Sequence, residues 1–191
     1  MRARLQSFLP GLNPKNGDIA YGGDHTAGKR KETRPFDSKQ ALHVVMRSSR
    51  AHGSWSMLHL KHCQNIHEFT HKLAERWGVR IYRYANVGNH IHLLIRARSR
   101  PVLQRYLREL AGGIAVIVTG ARKSASLSKN KTGRGFWDHL LFSRIVYFGR
   151  DFKGVCVYLI KNLFEASGVP MKMLLAQGYR ILSIADLADT S

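Results

Sequence analysis

The chain reads as an α+β domain whose elements run β-α-β-β-α-β and then add one more helix. Three observations predict this: apolar alternation that returns in four short segments, two amphipathic helical stripes set between them, and a hairpin-sized break at Val87-Gly88. Residues 1–38 are rich in Gly, Lys and Arg and show no sustained apolar period. They are expected to form a basic N-terminal arm, disordered or extended over the surface. Leu42–Arg47 (LHVVMR) is the first strand, and a loop runs from Ser48 to about His62. Residues 64–77 form the first helix, with Ile66, Phe69, Leu73 and Trp77 on one stripe and Gly78 as its stop. Val79–Ala85 and Asn89–Ala97 are the next two strands, joined by the Val87-Gly88 turn.

Pro101 opens the second helix at its favoured first-turn position. Leu103, Tyr106, Leu107, Leu110, Ile114 and Ile117 make its buried face. Gly112-Gly113 costs about 1 kcal/mol per glycine relative to alanine, so close packing is expected there. Residues 120–135 are a Gly- and Ser-rich loop with five cations and no acid. Phe142–Phe148 is the fourth strand, and Asp151 is placed to cap a third helix that runs to about Ala166. One or two short helices are expected in residues 171–190. The order is that of a ferredoxin-like βαββαβ antiparallel sheet with two helices on one face and an added C-terminal helix. The expected division is an arm at 1–38, a central domain at 39–168 and a helical extension at 169–191.

Charge is the strongest global signal. Lys and Arg total 31 against 12 acids, for a formal net charge of +19 over 191 residues. Between Lys39 and Trp137 the acids are Glu68, Glu75 and Glu109 alone. Such a surface attracts polyanions, and nucleic acid is the expected partner. Charge alone also leaves a membrane-surface or ribosome-associated protein open, but no apolar run reaches membrane-spanning length and no membrane partner is expected. Two cysteines, Cys63 and Cys156, fit a reducing cytoplasm and not a disulfide framework.

The chemistry concentrates in Asn89-His90-Ile91-His92-Leu93-Leu94. Alternate strand residues share a face, so His90 and His92 project together while Ile91, Leu93 and Ile95 enter the core. Paired imidazoles on a rigid strand suit a divalent metal. On the third helix Tyr158 and Asn162 stand four residues apart, one turn apart on one face. If that helix covers the open sheet face, the Asn162 carboxamide completes a three-ligand site and the Tyr158 phenol lies beside the cation. A hard cation can hold a phosphate while a tyrosine oxygen attacks phosphorus, giving a covalent tyrosyl ester.

These stretches resemble the HUH single-tyrosine transposases of insertion sequences, particularly their REP-associated relatives. The resemblance rests on GNHIHLLI at 88–95, GRGFWDHLLFSRIV at 133–146 and Tyr158-Leu-Ile-Lys-Asn162, collinear over about residues 40–168. It implies Mg²⁺- or Mn²⁺-dependent cleavage of single-stranded DNA at hairpins through a 5′-phosphotyrosine. It also implies a metal held by His90, His92 and Asn162, with Tyr158 as nucleophile. Arg96, Arg98, Arg100, Arg105, Arg108, Lys161, Arg122 and Lys123 are the expected DNA contacts, with Lys129, Lys131 and Arg134 in the same loop. Tyr82, Tyr84 and Trp137 are candidates to stack unpaired bases or to pack in the core. Monomer and homodimer both stay open.

Two competing readings remain. His67-Glu68-Phe69-Thr70-His71 is an HExxH motif on a helix, the pattern of zinc proteases, with His59, His62 and Cys63 as a further zinc candidate. Alternatively the chain is a basic nucleic-acid-binding module on the same scaffold, an inactivated transposase included.

Overall fold

A computed structural model describes residues 20–23, 33–121 and 135–168. In chain order the elements are β1 (Ala20–Tyr21), β2 (Ala41–Arg47), a 3-10 turn (Gly53–Trp55), α1 (Cys63–Trp77), β3 (Arg80–Asn86), β4 (His90–Arg96), α2 (Arg100–Thr119), β5 (Phe142–Val146) and α3 (Arg150–Ser167). The strands pair antiparallel in the order β1-β5-β2-β4-β3. From β2 onward this is the expected βαββαβ sheet with an added helix.

The sheet has five strands where four were expected. Ala20 and Tyr21 of the basic arm pair with Arg144 and Ser143 and so extend the β5 edge. Arg34 fastens a second stretch of the arm. Its guanidinium donates to Ser143 Oγ and to the Leu141 carbonyl, and lies 4.7 Å from the centre of the Tyr21 ring. A two-residue strand has no period to read, and the partners that hold it lie more than a hundred residues away. The remaining arm, the cationic loop from Arg122 to Arg134 and the extension from 169 lie outside the described residues.

Alternation divides the sheet into two chemically different faces. Leu42, Val44 and Met46 of β2 and Ile91, Leu93 and Ile95 of β4 point to α1 and α2, where they meet Ile66, Leu73, Leu103, Tyr106, Leu107 and Leu110. The opposite face presents Ala41, Ala85, Leu94 and Val146 to Val155, Cys156 and Leu159 of α3. A buried Val or Leu side chain contributes about 1.5–3 kcal/mol, enough for this second cluster to hold α3 against the sheet. Among the described residues no helix is long and apolar enough to cross a membrane.

Local details refine the expected elements. Gly88, at φ +92°, takes the backbone through the turn before β4, and its N–H donates to Asn86 Oδ1 at 3.0 Å. Gly113 is the close-packing glycine: a Cβ there would meet the Phe69 ring at 2.2 Å, whereas one at Gly112 would meet nothing within 4 Å. The buried face of α2 ends on Val118, four residues after Ile114, with Ile117 only partly covered. Asp151 is not the cap of α3. The helix begins after Gly149, and Asp151 sits in its first turn, accepting the Tyr147 N–H at 3.2 Å and pairing with Arg144 at 2.8 and 3.0 Å. Buried Arg144 takes up the carboxylate that would otherwise serve the helix start.

Candidate active site

Packing α3 on the second sheet face brings three imidazoles and one phenol together. His90 and His92 come from β4, and their rings stand 4.7 Å apart. The Tyr158 ring lies edge-on to His92, with centres 5.6 Å apart and planes perpendicular. Asn162 follows one helical turn later, buried, with its Nδ2 donating to the Tyr158 carbonyl at 2.9 Å. That bond orients the carboxamide and leaves Oδ1 as its ligand-type atom.

The third imidazole, His43, was not singled out from the sequence. It lies on β2, stacked on His92 at 5.4 Å with planes 12° apart, and 6.1 Å from the Tyr158 ring. One signal marks it: His43 is the polar residue in the buried run Ala41–Val44, at the parity that faces α3.

Electrostatics keeps these rings neutral at ordinary pH. Burial pulls His43 from 6.5 down to about 3, helped by the charge of Arg144 on the neighbouring strand and opposed by Asp151. Burial likewise pulls His90 to about 4, and Arg47 across the strand pair adds to the effect. His92 is held well below its usual range by burial first and by His43 and His90 second. A neutral imidazole is the form that ligates metal, so no proton needs to be expelled.

The ring nitrogens fit a cation. His90 Nδ1 is bonded to Asn89 Oδ1 at 2.6 Å, and His92 Nδ1 to His43 Nε2 at 3.2 Å. The other nitrogens, His90 Nε2 and His92 Nε2, are buried and unpartnered. A buried polar atom without a partner costs about 1–3 kcal/mol, and a divalent ion would satisfy both. Among the described residues no three His, Cys, Asp or Glu side chains are grouped to hold a metal. A carboxamide oxygen such as Asn162 Oδ1 is the type of donor that would complete three ligands with two imidazoles.

The competing HExxH motif lacks that completion. His67 and His71 stand 4.2 Å apart on α1, but the same absence of a three-residue cluster applies there. Exposed Glu68 is engaged by Gln64 at 3.0 Å and Lys72 at 3.4 Å. Spending Ile66 and Leu73 on the core turns His67 to the exposed flank of the helix. His62 Nε2 bonds the Ser54 carbonyl at 3.0 Å, and its ring is 5.6 Å from that of His59.

The expected DNA contacts divide into groups. Arg96, Arg98, Arg105 and Arg108 are exposed where β4 leads into α2. Arg105 also lies over Trp77, 5.6 Å from the ring centre. Arg100 is partly buried, donates to the Arg34 carbonyl and lies over Phe36. Exposed Lys161 pairs with Glu165 at 3.7 Å. Trp137 packs against the core and donates to the Ala111 carbonyl at 2.9 Å, and Tyr82 packs edge-on to Phe152. Tyr84 packs against the other core cluster. Arg122 and Lys123 lie outside the described residues.

The family model for IS200-like transposases matches residues 37–162. Among solved structures, the chain is similar to a candidate transposase from Deinococcus radiodurans R1, at 14% identity and a TM-score of 0.41, over 70% of this chain and 98% of that one. No curated protein matches the chain.

Proposed function

The chain belongs to the IS200-like transposase family, and on that premise we propose that it cuts and rejoins single-stranded DNA through a phosphotyrosine formed on Tyr158. His90, His92 and Asn162 would hold a Mg²⁺ or Mn²⁺ ion. When bound, that ion would polarise the scissile phosphate and offset the negative charge that develops on it.

The chain's own residues supply the rest. Tyr158 Oη attacks phosphorus, its proton leaves to solvent, and the P–Oη bond forms as the P–O3′ bond breaks. The departing 3′ oxygen takes up a proton, and the 5′ phosphate stays on the tyrosine. One phosphodiester replaces another, so the bond energy is kept and a 3′-hydroxyl can reverse the step without an external energy source. Leu159, Cys156 and Val155 anchor the helix that carries the phenol, so its position is set by packing before substrate arrives. Exposed Arg96, at the end of β4, and Arg98, just beyond it, suit the flanking phosphates of the same DNA strand. Hairpin DNA is the substrate form this reading favours.

The observation that carries this reading is the meeting of Tyr158 and His92 within one chain, with ring centres 5.6 Å apart. The test is denaturing electrophoresis after incubating the protein with Mn²⁺ and a labelled single-stranded hairpin. A covalent protein–DNA adduct that disappears with chelator is expected. Binding without an adduct would instead support a passive nucleic-acid-binding module.

A further inference from the structure

Resting on the metal reading above, we infer that His43 is a positioning residue: its Nε2 accepts the Nδ1–H of His92 and so keeps the His92 Nε2 lone pair available to the cation.

The two rings come from different strands. The register sets His43 against Leu94 and Val45 against His92, which makes the two histidines diagonal neighbours on one sheet face. They share one short contact, Nε2 of His43 to Nδ1 of His92, at 3.2 Å. One proton occupies it, and its owner decides what His92 can do. If His43 donates, neutral His92 carries its own proton on Nε2. That buries an N–H with no partner and leaves no lone pair for a metal. If His92 donates, Nε2 is an unprotonated nitrogen aimed at the site. Only the second arrangement makes His92 a ligand.

His90 is arranged the same way by different means. Its Nδ1 meets Asn89 Oδ1 at 2.6 Å, and a carboxamide oxygen can only accept. Both imidazoles thus have Nδ1 engaged and Nε2 unpartnered, although one relies on its sequence neighbour and the other on a residue 49 positions away. An outer partner of this kind fixes ring orientation as well as tautomer. An apolar residue would pack at least as well in the buried run of β2, so a polar side chain there calls for a partner that needs it. His43 touches neither substrate nor cation in this scheme. It acts through His92.

Two measurements on the full chain test the inference. The first is the long-range ¹H–¹⁵N spectrum of the histidine rings in metal-free protein, which reads the tautomer of His92 directly. The second is Mn²⁺ titration followed by electron paramagnetic resonance, with His90→Ala defining binding at this site. Wild-type His92 is expected as the Nδ1–H form. His43→Gln, whose Oε1 can accept the same proton, should keep that form and near-normal Mn²⁺ affinity. His43→Leu, which offers no acceptor, should lose about 10–100-fold in affinity. An Nε2–H tautomer in the wild type overturns the inference, and needs no variant to fold. Equal Mn²⁺ affinity in wild type and His43→Leu also overturns it while the metal reading stands. A wild type that binds no more Mn²⁺ than His90→Ala overturns the metal reading itself.

Discussion

Acidification should weaken the metal-free protein through His43 by an amount that can be worked out. Its imidazole is buried and titrates at about 3, against 6.5 when unfolded. Between those values the unfolded chain holds a proton that the folded chain does not, so stability falls as pH falls through that window. At about pH 7 the cost is small. At about pH 5 the unfolded ring is about 97% protonated and the folded ring about 1%, a loss of about 2 kcal/mol from this residue alone. His90 and His92 are depressed in the same direction and add a slope of their own. His43→Gln isolates the contribution, because glutamine fills similar space and does not titrate. Urea midpoints measured at about pH 7 and pH 5 should fall further for wild type than for the variant, by about 1 M if m is about 2 kcal/mol per molar. Equal falls in the two proteins would refute the reasoning, since they would mean that His43 is as easily protonated folded as unfolded.

Other outcomes follow from the same geometry. Tyr158→Phe should form no adduct yet bind a single-stranded hairpin within about twofold of wild type by fluorescence anisotropy, because one hydroxyl is a small part of a phosphate-dominated interface. His90→Ala and His92→Ala should each abolish Mn²⁺-dependent cleavage in the electrophoretic assay while still binding DNA. Gly112→Ala should raise stability by about 1 kcal/mol, since it meets open space and improves helix propensity. Gly113→Ala should lower it by about 1–3 kcal/mol as its Cβ drives into Phe69, and paired urea melts would separate the two. With Arg96, Arg98, Arg105, Arg108 and Lys161 exposed, log affinity for single-stranded DNA should fall against log salt with a slope of about −3.5, and Arg96→Ala/Arg98→Ala should flatten it by about 1.4.

Much of this site is local and therefore legible in the chain. Alternation in a strand puts His90 and His92 on one side whatever else the protein does, and a four-residue spacing in a helix puts Tyr158 and Asn162 on one side. The glycine stop at Gly78 and the proline start at Pro101 act over a single turn. What stayed hidden depends on register. His43 joins His92 only because β2 pairs with β4 so that Val45 meets His92, and no local pattern specifies that pairing. The same holds for Asp151, whose helix-cap chemistry lost to an ion pair with Arg144, and for β1, whose two residues need β5 to become a strand.

The two faces of this sheet explain why the added helix belongs to the site and is more than an ornament of the fold. One face is filled by α1 and α2 with aliphatic side chains, and the alternate positions of the same strands are left to face outward. Without α3 those positions would place His43, His90 and His92 in water, where the imidazoles would titrate near 6.5 and bind cations with no preferred orientation. Covering them costs desolvation, which the Leu94, Val146, Val155 and Leu159 contacts offset. It also removes water from the two Nε2 atoms and leaves them without hydrogen-bond partners. The helix that imposes this desolvation is the one that carries Tyr158. On the proposed mechanism, preparing the ligands and delivering the phenol are a single packing event, so a substitution that loosens α3 should impair both together even though it touches neither imidazole.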